Sequence, residues 1–188
     1  MATTCQINSG RERQCKNTVG GLKTLFLGLL TDFDTGITQG GTHGAINALP
    51  TATLYRFELD QAYSSGQLIA TLNASPENGT TFYEHVVTAK FKKLSAADNA
   101  NFQNIAVNQL VAFVLTNNGD IMMVGLVNGA DFTAGTLNTG LAMGDMSGYE
   151  FTVTAREPEL PKYLTTFTSD PFDNFAGITV SPAYPTGS

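Results

Sequence analysis

Two histidines, two cysteines and two clusters of lysine and arginine carry most of the chemical reach of this chain, and their spacing limits what they can do. His85 shares one face of a strand pattern with Tyr83, Val87, Ala89 and Phe91, which reads as a packed or interfacial histidine rather than a base. His43 lies 42 positions earlier in Gly40-Gly41-Thr42-His43-Gly44, a loop of oxyanion-hole character. No Gly-x-Ser-x-Gly turn supplies a nucleophile for it. Asp32-Phe33-Asp34-Thr35-Gly36 begins like a calcium loop. Gly36 in the fifth place, Ile37 in the sixth and His43 in the twelfth exclude a helical calcium hand and leave at most incidental weak cation binding. There is no GxxxxGK and no GxGxxG after a strand. No catalytic residue, cofactor or metal is therefore expected.

Cys5 and Cys15 could pair around the intervening Arg11-Glu12-Arg13-Gln14 region. A chain made in a reducing compartment keeps such thiols free, which is the expectation here. Arg11, Arg13 and Lys16 form one basic cluster, and Lys90, Lys92 and Lys93 the other. Each is either a solvated surface or a contact with acidic groups of a neighbouring subunit. The second reading makes all six candidate interface residues.

The charge distribution suits that reading. Of 188 residues only 14 % are charged, well below the roughly 25 % of ordinary soluble domains, while 42 % are hydrophobic. Much of the surface must therefore be polar without charge, or covered by other chains. The net charge of −6 argues against a protein that grips nucleic acid by neutralising phosphates. Residues 1–97 carry eight basic and seven acidic side chains, and residues 98–188 two and nine, so the second half is the acidic one. The start, MATTCQINSGRERQCK, is polar where a secretory signal needs an apolar core, and no run reaches membrane-spanning length. Synthesis in the cytoplasm without a membrane partner is expected, and Asn73-Ala74-Ser75 and Asn78-Gly79-Thr80 read as chance glycosylation sequons.

The elements that would hold these residues are mostly strands. Residues 1–19 read as an arm, and a β domain over 20–157 starts with the apolar run Leu22 to Leu30. A long glycine-rich loop is expected from Thr31 to Pro50. In Thr53 to Asp60, Tyr55, Phe57 and Leu59 form a buried face and Arg56, Glu58 and Asp60 a wet one. Gln67 to Asn73 and a long Thr80 to Lys92 follow as strands, the latter extending roughly 40 Å at ~3.3 Å per residue, beyond what a domain core needs. Ser95 caps a helix reaching about Asn108, with Asp98 in its first turn and Phe102, Ile105 and Ala106 on its apolar stripe. Leu110 to Leu115 and Ile121 to Val127 flank Asn117-Asn118-Gly119-Asp120, where Asn118-Gly119 signals a tight type I′ hairpin with both faces covered. Phe132 to Gly148 is expected as a glycine-rich loop. Tyr149 to Glu157 is then a strand that closes the sheet, with Tyr149, Phe151, Val153 and Ala155 alternating with polar neighbours. Five of the seven prolines follow, so 158–188 reads as an extended tail rather than core. Removal of 1–19 or of 165–188 is accordingly expected to leave a folded monomer.

Two regions resemble virion proteins of tailed bacteriophages. Cys5 to Gly10 with Cys15 to Lys23 is similar to the opening of structural proteins from phages of the Bacteroidetes group. The order from Asn78-Gly79-Thr80 through strand, helix and hairpin to Gly144-Asp145-Met146-Ser147-Gly148-Tyr149 and Glu157 resembles the tail-tube fold. The resemblance implies a mainly β protein, an antiparallel β-sandwich or half-barrel with one flanking helix over about 95–108 and extended N- and C-terminal arms. It implies hexameric rings stacked into a tail tube, with strands of six subunits joined in one inner barrel and the DNA genome passing through the lumen without specific binding. The net charge of −6 suits a lumen of like charge to DNA. The partners implied are further copies of the chain and other tail or neck proteins, in the virion. A tail terminator, a portal-proximal ring protein, a capsid decoration protein and a host-binding β-module are the alternatives. The absence of tryptophan counts against an aromatic carbohydrate platform.

Overall fold

The computed structural model describes residues 10–13, 15–40, 44–60 and 65–182. Its elements are β1 (Leu22–Leu29), a 3-10 turn (Leu30–Asp32), β2 (Thr38–Gln39), β3 (Ile46–Ala48), β4 (Ala52–Glu58), β5 (Gly66–Ser75) and β6 (Thr80–Lys92). Helix α1 (Ala96–Ala106) follows, then β7 (Leu110–Thr116), β8 (Ile121–Val124), β9 (Ala130–Asn138), β10 (Gly148–Glu157), β11 (Lys162–Tyr163) and β12 (Ile178–Ser181). The protein is mainly β, with one α-helix among the described residues.

Near-continuous apolar sequence puts β1 and β7 at the centre, because a strand with both faces covered has no place for polar alternation. They pair antiparallel from Leu22 opposite Thr116 to Leu29 opposite Leu110. Along β7, Leu110, Ala112 and Val114 enter one core while Val111, Phe113 and Leu115 enter another on the opposite face. Beyond β7 the sheet forks. Residues Ala112 to Leu115 pair with β8, which carries β11, whereas Leu110 alone pairs with β9, leading to β10, β6 and β5. That second branch curls until β5 contacts β1, enclosing the first core in a half-barrel.

Helix α1 covers the open side of that half-barrel. Ser95 caps it, its Oγ accepting from Asp98 N–H at 3.1 Å. Phe102 packs on Tyr149 and Phe151, with ring centroids 4.8 and 4.9 Å away, and the Tyr149 hydroxyl lies 3.0 Å from the Ser95 carbonyl. Ile105 also packs inward, but Ala106 of the expected stripe is exposed.

Several expectations are corrected. The expected loop 31–50 contains the 3-10 turn and the β2–β3 pair, with Phe33 and Ile46 buried in the second core. On β4, Leu54 is buried, Tyr55 is half exposed and the Arg56 side chain is nearly buried while pairing with Glu58 at 3.1 Å. Leu54 serves one core, and Phe57 and Leu59 the other, so no single face of this strand is wet. Within the expected loop 132–148, residues 139–147 are loop as expected, but the part as far as Asn138 is β9, paired with β10 from Ala130 opposite Ala155 to Asn138 opposite Gly148. Its exposure removes the apolar alternation by which a strand is recognised. Strand β10 accordingly lies inside the sheet, between β9 and β6, rather than closing it.

The segment after residue 157 is not an extended arm. Strand β12 pairs in parallel with β4, Ile178 opposite Ala52 and Ser181 opposite Tyr55. Leu164, Phe172 and Phe175 are buried in the second core. Asp173 fixes the intervening turn by accepting hydrogen bonds from the Thr168 hydroxyl and from the Thr168 and Ser169 N–H groups. Those bonds, the Thr168 hydroxyl first, lower its carboxyl to about 2.

The β7–β8 hairpin has a different turn from the one expected. Gly119 has φ +91° and Asn118 keeps a negative φ, with Gly119 N–H bonded to the Thr116 carbonyl and Thr116 N–H to that of Asp120. This is a three-residue loop, a type I turn ended by a left-handed glycine bulge, and not a type I′ turn. Open space surrounds the place where a Gly119 side chain would stand, so only the backbone conformation resists substitution. Gly119→Val should cost on the order of 1–2 kcal/mol. Chemical denaturation will check it, and an unchanged midpoint would refute the turn geometry.

Candidate functional site

Exposed apolar side chains gather along the ribbon of β5 and β6. These strands pair over ten residues, from Gly66 opposite Ala89 to Ser75 opposite Thr80. Only one end of the ribbon belongs to the core, through Val87 and Ala89. Toward its tip both faces meet solvent, and Ile69, Leu72 and Phe82 are 48 %, 56 % and 40 % exposed. Strand β5 is also the last in the sheet, so its outer backbone edge has no partner strand among the described residues. From Gly66 to Ser75 it carries no charge and no proline, the two usual guards of a free edge.

The candidate basic residues fall into two groups. Lys90 pairs with Glu150 at 3.0 Å, and Lys92 pairs with Asp60. Glu150 belongs to the acidic second half, so one attraction expected between subunits is made within the chain. Lys93 has φ +70°, and its N–H bonds the Ser147 carbonyl at 2.8 Å, which ties the loop before β10 to the end of β6. Arg11, Arg13 and Lys16 are exposed in the segment ahead of β1.

That segment meets the hairpin turn. Val19 N–H donates to Asn118 Oδ1 and Asn118 Nδ2 donates to the Val19 carbonyl, both at 2.9 Å, so one side-chain amide imitates a strand neighbour. Asn117 Nδ2 adds a bond to the Gly20 carbonyl at 2.7 Å. The structural role expected of Asn118 and Gly119 is thus a double one, holding the turn and fixing where the arm leaves the domain. The amide clamp has no local sequence signature, because it joins residues 99 positions apart.

His85 and Glu157 are buried ionisable residues, 1 % and 3 % exposed. Glu157 accepts from Val127 N–H and Asn128 N–H at 3.1 and 2.9 Å. Neither His85 ring nitrogen has a hydrogen-bond partner among the described residues. Burial pushes the ring below its ordinary pKa, and the nearby Glu159 carbonyl opposes this more weakly. Both residues line a cavity of about 20 Å³. Sequence parity contained the signal for Glu157, which is in phase with Tyr149, Phe151, Val153 and Ala155.

No group of three His, Cys, Asp or Glu residues that could hold a metal occurs among the described residues. Cys15 is exposed, while Cys5 and His43 lie outside the described residues. No helix among the described residues is long and apolar enough to cross a membrane. No family model, curated protein or solved structure matches the chain.

Proposed function

We propose that this protein is a self-assembling virion structural subunit of the tail-tube type, whose rings, six subunits each, stack around a passage for DNA. The observation that carries the reading is the unguarded β5 edge on a ribbon that outruns the core and exposes Ile69, Leu72 and Phe82. A free edge on a charge-poor surface is a template for pairing, so it must be guarded or joined to another chain. A contact between unlike faces of identical copies closes into a ring or propagates, depending on its rotation, and a tube needs both outcomes. The net charge of −6 supports a lumen that does not hold DNA, because like charges repel.

Negative-stain microscopy of concentrated protein should show annular particles or tubes with a central hole. Sedimentation should show species far above the 20.0 kDa subunit. A strictly monomeric protein at every concentration, with no rings after mixing with the tail and neck proteins of the same virion, overturns the proposal.

A further inference from the structure

His85 is a buried base whose ring nitrogens make no well-formed hydrogen bond among the described residues, with the Glu159 carbonyl near the ring. Gly125, Leu126 and Val127 after β8 wall one side of its cavity, Glu157 closes another, and Glu159 to Lys162 cross over it. This crossing strap is held at both ends. At one end Glu157 binds the Val127 and Asn128 N–H groups, and Asn128 Nδ2 donates to the Arg156 carbonyl at 2.7 Å. At the other, β11 pairs with Met122 and Met123 of β8, and Leu164 N–H bonds the Ile121 carbonyl at 2.9 Å.

We propose that the segment from Glu157 to Leu164 is an acid-released latch: a proton taken up by the enclosed His85 ring makes the closed arrangement unfavourable, and the strap lets go of β8.

The surroundings decide the sign. Ala70 of β5 and Ala155 of β10 stand opposite His85, and neither offers a counter-charge. Met123 of β8 is apolar, and Tyr83 is the titratable neighbour on the same face of β6. Glu84 and Arg156 pair with each other on the opposite face of the sheet. The charged groups facing the cavity are Glu157, Glu159 and Lys162. Both Glu157 oxygens are engaged by backbone N–H groups. Glu159 is neutralised by Lys162 at 2.6 Å, whose ammonium disfavours a second cation nearby. The Glu157 charge and the Glu159 carbonyl favour a protonated ring, but enclosure of the ring outweighs them, so the cation is less stable while closed than once the strap opens to water. The closed-state pKa lies below that of the open state, so the latch is fully effective above the ordinary histidine range and weakens as pH falls through it.

Amide hydrogen exchange on the whole protein, corrected for the pH dependence of intrinsic exchange, tests this. Between pH 7.5 and 5, protection of the Leu164, Val127 and Asn128 amides should fall several-fold relative to β7. The ordinary histidine pKa sets a ceiling of about thirty-fold at pH 5. His85→Gln, which stays neutral, should remove that difference. In the parent protein the His85 ring resonances should titrate together with the loss of protection, a result that stands even if the variant does not fold. Protection that is constant or rises on acidification overturns the latch. So does equal acid sensitivity in a folded His85→Gln variant, or titration of His85 with the strap still closed. None of these results bears on whether rings form.

Discussion

Phe172→Ala will destabilise the protein by about 3–5 kcal/mol, the usual range for emptying a buried aromatic site. Phe172 is almost wholly buried. Its ring lies edge-on to Phe26 at 5.0 Å and to Phe113 at 5.4 Å, joining the two central strands to a segment more than fifty residues further along. The chain holds it there at φ +71°, an uncommon conformation for a residue other than glycine. At this chain length the loss corresponds to a fall in melting temperature of roughly 6–20 °C. Leu141→Ala, at a fully exposed site, should stay within about 0.5 kcal/mol and serves as the control. Equal melting temperatures for the two variants would restore the view that the segment after residue 157 is dispensable. A chain ending at 164 should likewise fail to fold, because Phe172 and Phe175 go with the deletion.

On the proposed tail-tube function, Ile69→Lys combined with Leu72→Lys will abolish assembly while leaving the fold intact. Both side chains are about half exposed in the monomer, so each replacement changes its stability by a few tenths of a kcal/mol. In an assembly each apolar side chain would contribute up to about 1.5–3 kcal/mol, and its replacement would leave a charge at the joint. The concentration at which large species appear should rise at least a hundredfold. Circular dichroism will report the fold and sedimentation the assembly. A double variant that assembles like the parent would remove the ribbon from the interface.

The sequence was most legible where local chemistry and tertiary role agree. Thr80 and Lys92 bound β6 as expected, because β-branched and aromatic residues dominate the stretch that follows the turn at Gly79. Ser95 and Asp98 mark the helix start because a cap is a local hydrogen bond. The projecting ribbon was legible as excess strand length. Strand β9 was not, because Gly135 and its threonines make an exposed strand read like a loop. Phe167, Phe172 and Phe175 follow no helical or strand period, since a turn held by Asp173 delivers them to the core, and the prolines nearby suggested a tail. On β4 the alternation suggests one dry face, whereas two cores claim the strand. The cavity at His85 depends on residues about seventy positions apart, a proximity that no local pattern encodes.

The parallel pairing of Ile178–Ser181 with Ala52–Tyr55 bears on the order in which the molecule is made. Strand β4 leaves the ribosome well over a hundred residues before its partner, at a pace of about 5–20 residues per second. For that interval one wall of the second core is missing, with Phe26 and Leu54 lacking their later neighbours Phe172 and Phe175. The ribbon, whose two strands are joined by a short turn, needs no such delay and can form early. A nascent chain thus presents the outer edge of β5 before its interior is sealed. Neighbouring chains on one messenger would then be exposed to premature joining, and a holding chaperone that covers β5 during synthesis would protect the yield of finished subunits.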